Sequence, residues 1–378
     1  MRQLTLFLCG DVMTGRGIDQ ILPHPSSPGL FEGYLSDARE YVLLAEEKNG
    51  RIPRSVGLDY VWGEALVELR REDPHARIVN LETSVTRSDD AIPWKGIHYR
   101  MHPANVGCLV AGRIQVCVLA NNHVLDWGEQ GLLDTLDVLR AAGFQLAGAG
   151  RTLEEAERPA TVLVEDGGRV LVLGLGDRSS GIPLGWGATA KRPGVWLLDD
   201  ISEESAAMIG EHVQRLKQPG DVVVASIHWG SNWGYTIPDE QIRFAHTLVD
   251  GGVDIVHGHS SHHARPLEVY REKLILYGCG DFLSDYEGIT GHEEFRGDLP
   301  VMYFPELDRE TGRLLDLRMV PLRLSRMRLE RARPDEMMWL CDRLSQISRP
   351  FGTEVVIRDD GVLARAAEPV RVQMPLMR

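Results

Sequence analysis

Lysine is scarce in this chain: 5 lysines stand against 36 arginines in 378 residues. That bias carries no functional signal by itself. Positive charge of either kind is in short supply. Lys and Arg number 41 against 55 Asp and Glu, a formal charge of −14. A net negative field disfavours coating nucleic acid or an anionic membrane, so neither is expected as a partner. Only five cysteines occur, Cys9, Cys108, Cys117, Cys279 and Cys341, widely spaced and without a CxxC pair. A zinc ribbon is thereby excluded, and buried reduced thiols are expected. No apolar stretch reaches the roughly 18 residues of a membrane span. The first run, Leu4–Cys9, is too short for the core of a signal peptide. These absences lead to the expectation of a soluble, cytoplasmic protein. There is no GxSxG elbow and no GxxxxGK[ST] phosphate loop, and Gly174-Leu175-Gly176 lacks the third glycine of a dinucleotide fingerprint. No organic cofactor is expected.

What is present is a repeated strand–loop–helix pattern. Apolar strands are read at Leu4–Cys9, Arg77–Asn80, Gln115–Ala120, Gln145–Ala147, Val170–Leu175, Asp221–Ile227, Ile255–Val256 and Lys273–Tyr277. Helices are read at Asp59–Arg71, Gly128–Ala142, Ser202–Leu216 and Asp239–Asp250. Residues 22–33 and 176–194 read as loops over a site. From Leu299 onward a β-hairpin, a helix over Pro334–Ser348 and a last strand read as an extension. The expected organisation is α/β, with a domain over residues 1–300 and residues 301–378 packed on it.

Polar residues suited to metal or proton chemistry follow strand after strand. They are Asp11, Asn80 with Glu82, Asn121-Asn122-His123, His228, His257 with His259 and His262, and Asp281. In open α/β sheets ligands bind at the C-terminal strand edge, so convergence on one edge is expected. Taken singly, Asp11 reads more readily as a turn cap, and His228 reads also as a satisfied core histidine, a reading that the histidines ending the neighbouring strand weaken. Asp126, three residues after His123, suits orienting that imidazole. His257 to His263 hold four of the 13 histidines, a ligand-rich stretch. Trp94, Lys95 and Arg100 form a cationic, aromatic cluster that suits a carboxylate or phosphate, or is an ordinary surface loop. His292 is an acid/base residue or an exposed histidine.

In their order these motifs resemble the CapA-like (poly-γ-glutamate synthesis protein) family, a branch of the calcineurin-like metallophosphatases. The matching residues are Gly10-Asp11, Asn80-Leu81-Glu82, Asn121-Asn122-His123 with Asp126 and Gly128, Gly148-Ala149-Gly150, His228-Trp229-Gly230, Gly258-His259 with His262, and Gly280-Asp281-Phe282. The likeness covers about residues 4–285. It implies a calcineurin-like four-layer αββα sandwich. It implies metal-site roles for Asp11, Glu82, Asn122, His228, His259 and His262, with His123 near the chemistry. Ordinary metallophosphatases begin Asp-x-His, whereas the third position here is Met13, and Asn80-Leu81-Glu82 replaces their second motif. A single divalent ion is therefore expected, Ca²⁺ if oxygen donors dominate, Mn²⁺ or Zn²⁺ if both histidines bind.

Capsule-synthesis members of the family are membrane-anchored. With its first strand at about residue 4, this chain is expected to lack an anchor and to stand on a soluble side branch. The segments Ser231–Tyr235 and Gly291–Phe295 resemble the lasso-peptide epimerases. That likeness implies a metal-dependent isomerase inverting Cα of the C-terminal residue, a Trp, of a ribosomal precursor peptide, its partner. Epimerisation needs acid/base groups on both faces of the carbon. The candidates are Asp11, His123 with Asp126 or Glu82, and one of His259 or His292. Lys95 or Arg100 is expected to hold a carboxylate, and Trp94, Trp229 and Trp233 an apolar side chain. The competing expectations are a hydrolase of phosphoester or γ-glutamyl amide bonds, and a non-enzymatic capsule-assembly subunit.

Overall fold

The computed structural model describes residues 3–165 and 167–366. Residues 367–378, the end of the expected extension, lie outside the described residues.

The first strand, Gln3–Val12, shows why the chain stacks in layers. Side chains alternate across a strand. Leu4, Leu6 and Leu8 enter one core with Ile78, Val116, Val172 and Val224. Phe7 and Cys9 enter another with Ile18, Tyr41, Trp62 and Leu136. A strand apolar on both faces must be covered on both. A third core joins Leu171, Leu173, Val223 and Ile227 to Ile209, Val213, Phe244 and Leu248. Three cores require four layers, which is the expected αββα sandwich: helices, sheet, sheet, helices.

The first sheet runs Val355–Ile357, Leu363–Arg365, Arg313–Leu324, Val301–Asp308, Gln3–Val12, Ala76–Leu81, Val116–Val118, Gln145–Ala147. The second runs Leu267–Tyr270, Lys273–Leu276, Ile255–His259, Val222–His228, Arg169–Gly176, Ala160–Leu163. Helices Glu203–Leu216 and Asp239–Asp250 cover the second sheet, and Gly128–Ala141 lies on the first.

Val301–Asp308 pairs antiparallel with Gln3–Val12. The C-terminal hairpin therefore completes the first sheet. Helix Pro334–Ser348 seals the end of the inter-sheet core with Leu340 and Leu344.

Some elements differ from expectation. The helix expected over Asp59–Arg71 is a 3₁₀ turn, Tyr60–Trp62, followed by Ala65–Glu72. Gly63, at φ 46°, interrupts them. Helix Arg39–Asn49 and the edge strands Ala160–Leu163 and Leu267–Tyr270 had no clear apolar period to announce them.

One close approach places the site. A Cβ on Gly10 would lie 1.6 Å from the Gly280 carbonyl oxygen. Only glycine lets these backbones meet. Asp11 N–H donates to the Gly280 carbonyl at 2.9 Å, and Asp11 and Asp281 stand in register on parallel strands.

Candidate metal centre and its flanking histidines

The C-terminal strand ends of both sheets open on one edge. Along the first sheet the sequence of carriers is Asp281, Asp11, then Asn80 with Glu82, then the Asn121–His123 turn. The second sheet contributes His228 and His259, which are register partners.

Asp11, His228 and His259 each offer a donor atom within 4.8 Å of the others, and all three are buried. His228 Nδ1 lies 2.9 Å from His259 Nδ1, and His259 Nδ1 lies 3.7 Å from an Asp11 oxygen. Asn122 Oδ1 is 3.1 Å from His228 Nε2. Glu82 Oε1 stands 3.8 Å from His228 Nε2 and 3.6 Å from His123 Nε2. Asn80 Nδ2 donates to Asp11 at 2.7 Å and its oxygen accepts from Asn121 at 3.0 Å. The Ser260 N–H donates to the other Asp11 oxygen at 3.1 Å.

The electrostatics of this cluster ask for a cation. Burial, then the Asp281 charge, pushes the Asp11 carboxyl up to about 7. Burial, then the Asp11 charge, pushes Glu82 well above the carboxylate range. Burial holds His228 and His259 well below the usual imidazole value, hence neutral with lone pairs free to ligate. The buried Glu82 Oε2 has no hydrogen-bond partner, a costly condition. A mixed carboxylate–imidazole set with an unsatisfied buried oxygen fits a divalent ion.

Two histidine–carboxylate pairs flank this triad on opposite sides along the sheet edge. On one flank His123 Nδ1 is 2.7 Å from Asp126, whose carboxylate also accepts the Tyr99 N–H at 2.7 Å. Lys95 Nζ donates to Asp126 and lies 2.9 Å from His123 Nδ1. Burial and the Lys95 charge hold His123 well below its usual value. On the other flank His262 Nδ1 is 2.9 Å from Asp281. There burial opposes the imidazolium, but the charge and hydrogen bond of Asp281 outweigh it and raise His262. His262 and Asp281 line a cleft of about 440 Å³ with Trp233, Tyr286, Ile289 and His292.

Of the residues expected from sequence, Asp11, Glu82, Asn122, His123, Asp126, His228, His259, His262 and Lys95 meet here. Several placements correct the expectation. His262 turns Nδ1 to Asp281 and stands outside the donor triad. Both nitrogens of His259, expected as a possible acid/base group, are engaged, Nε2 with Ser226 at 3.0 Å and Nδ1 with His228 at 2.9 Å. His292 is exposed and stacks on Trp233 at 4.0 Å; the histidine paired with a carboxylate on that flank is His262. Arg100 is consumed by Asp89 and the Ser88 carbonyl and lies 3.8 Å over Trp127, away from the triad. Lys95 is held by Asp126 and His123 and is not free for a substrate carboxylate. Trp229 is fully buried in the outer core, its indole N–H donating to the Tyr277 carbonyl at 3.0 Å. Trp94 is 62% exposed beside Trp186. Arg16, Tyr99 and Tyr286 join the site without a strand-end signal, whereas Asn80 was marked by its strand-end position.

Comparison with known proteins agrees with the residue pattern. The family described as "Bacterial capsule synthesis protein PGA_cap" matches residues 5–286. A Mycobacterium tuberculosis protein named "Probable polyglutamine synthesis accessory protein" is 50% identical over 361 residues, 95% of each chain. The "PGA biosynthesis protein CapA" of Bacillus subtilis is 29% identical over 282 residues, 75% of this chain and 63% of that protein. Among solved structures, a 5'-nucleotidase precursor from Thermus thermophilus is 17% identical with a TM-score of 0.47, covering 92% of this chain and 59% of that one. That last likeness is too weak to argue from, and the four layers rest on the strand pairing itself. Among the described residues no helix is long and apolar enough to cross a membrane.

Proposed function

The chain belongs to the bacterial capsule synthesis protein PGA_cap family, and from that premise we propose a metal-dependent enzyme, accessory to making an amide-linked glutamate polymer or peptide. The carrying observation is the opposition of two histidine–carboxylate pairs across one donor triad. Asp11, His228 and His259 would hold the ion, with Asn122 and Glu82 beside it. Two imidazole nitrogens favour Mn²⁺ or Zn²⁺ over Ca²⁺. When bound, the cation supplies positive charge for an oxyanion developing at a substrate carbonyl.

The protein groups handle the protons. Asp126 fixes the His123 ring through Nδ1, leaving Nε2 facing the centre. Asp281 fixes His262 in the same way from the other flank. One imidazole removes a proton from Cα, and the other delivers one to the opposite face. The outcome is inversion at Cα of an amide-linked residue. The finer reading is the C-terminal residue, a Trp, of a ribosomal lasso precursor, with Trp233 and His292 at the mouth of the cleft to receive an aromatic side chain.

A second reading is supported by the relatives' names. Those names concern polyglutamine and PGA synthesis, so hydrolysis of a γ-glutamyl amide, or a binding role in polymer assembly, competes with inversion. Incubation with γ-glutamyl and α-linked peptides in D₂O separates the three. Deuterium at Cα without cleavage supports inversion. A cleaved amide supports the hydrolase. Saturable binding with neither change supports the assembly role and refutes the enzyme.

A further inference from the structure

Tyr99 and Tyr286 belong to loops far apart in sequence, yet their hydroxyls are hydrogen-bonded to each other. Each ring meets a different flanking histidine edge-on. Tyr99 lies 4.4 Å from the His123 ring at 68°, and Tyr286 lies 5.3 Å from the His262 ring at 82°. Beneath both stands one buried guanidinium. The Arg16 carbon is 4.6 Å from the Tyr99 ring centre and 5.3 Å from that of Tyr286. Arg16 is itself fixed by Asp285, by Glu32 at 2.9 Å and by the Tyr41 hydroxyl at 2.8 Å. It keeps this place at φ 46°, a conformation that costs a non-glycine residue on the order of 1 kcal/mol or more. Tyr99 also anchors Asp126 through its backbone N–H.

We propose that Tyr99 and Tyr286, braced by Arg16, form one positioning unit that fixes the ring planes of His123 and His262 relative to each other across the donor triad. The unit rests on the two-histidine reading of the site and adds what makes two flanks act in concert. Edge-on packing restricts rotation of each imidazole. The shared hydroxyl contact turns two local restraints into one. Cation–π attraction from a pinned guanidinium keeps both rings seated. None of the three residues needs to touch substrate.

The test uses the full chain labelled with ¹⁵N-histidine. Two-bond ¹⁵N–¹H spectra report the ring state of each histidine, with His123→Gln and His262→Gln variants for assignment. Tyr99→Phe and Tyr286→Phe delete only the hydroxyl contact. Each is expected to shift the signals of both His123 and His262. His246, stacked on Tyr270 at 3.8 Å outside the site, serves as the control and should not move. If each variant shifts only the histidine its own ring touches, the unit is refuted. Should either variant also disturb His246, Arg16→Lys takes its place. Joint movement of both site histidines then supports the unit, and either one staying still refutes it. The spectra read positioning whether or not a peptide is turned over. Joint shifts without any Cα deuteration overturn the enzyme reading alone, and deuteration with independent shifts overturns the unit alone.

Discussion

Asp11→Asn should stabilise the metal-free protein at alkaline pH, the reverse of what a substitution at a fully buried polar residue usually does. The folded Asp11 carboxyl keeps its proton up to about pH 7, against 3.8 for an unperturbed one. Between those values the folded state binds more protons than the unfolded state, so stability falls as pH rises. The full displacement corresponds to on the order of 4 kcal/mol above pH 7, and to on the order of 2 kcal/mol at pH 5. Asn has nearly the same shape and carries no charge. It keeps an acceptor for one of two donors, Asn80 Nδ2 or the Ser260 N–H, and sets an NH₂ against the other. That mismatch costs about 1–3 kcal/mol. The expected net gain is about 1–3 kcal/mol at pH 8 and close to nothing at pH 5. Urea denaturation in chelator at both pH values measures it. Zinc at a hundredfold excess over its dissociation constant should then add about 2.7 kcal/mol to the wild type and little to the variant. Equal destabilisation of the variant at both pH values, or equal zinc stabilisation of both proteins, would refute the reading of Asp11 as a metal ligand in a charge-starved pocket.

The other predictions are simpler. His123→Ala should lower Cα exchange or amide cleavage by at least about 10²-fold with the fold intact, and unchanged turnover would remove His123 from the chemistry. Elemental analysis of the purified chain should find close to one divalent ion, because one donor triad is present among the described residues; two ions would favour phosphoester chemistry. Trp229→Ala should cost about 3–5 kcal/mol in a urea melt, as for a core aromatic, while leaving the metal content of the folded protein unchanged. Gly10→Ala should reduce both stability and metal retention, since its Cβ would meet the Gly280 carbonyl oxygen and part Asp11 from Asp281.

Much of the site is legible in sequence because it is built from strand ends. A buried parallel strand is a continuous apolar run, and the polar residue that ends it is conspicuous. Asp11, Glu82, His228 and His259 were found in that way. Functional groups carried by loops leave no such mark. Tyr99 and Tyr286 look like ordinary tyrosines until the folded loops bring their hydroxyls together, and Arg16 looks like one arginine among 36. Trp229 misled for the converse reason. It follows a candidate ligand in sequence, but successive residues of a strand point to opposite faces, and so the residue after His228 enters the outer core.

The same logic divides the molecule. Composition and apolar periodicity by themselves determined an α/β chain of alternating strands and helices, its strand ends as the place of chemistry and its acidic, histidine-rich character. Those are properties of local runs, set by side-chain period and burial. Which donors actually meet was decided by tertiary structure alone. The pairing of two glycines put Asp11 beside Asp281, and the packing of one sheet on the other carried His228 and His259 to Asp11. Long-range packing also spent Arg100 on Asp89 and gave His262 to Asp281 instead of to the triad. Contacts of this kind join residues far apart in the chain, which no local pattern encodes; the His123–Asp126 pair, three residues apart, is the local exception.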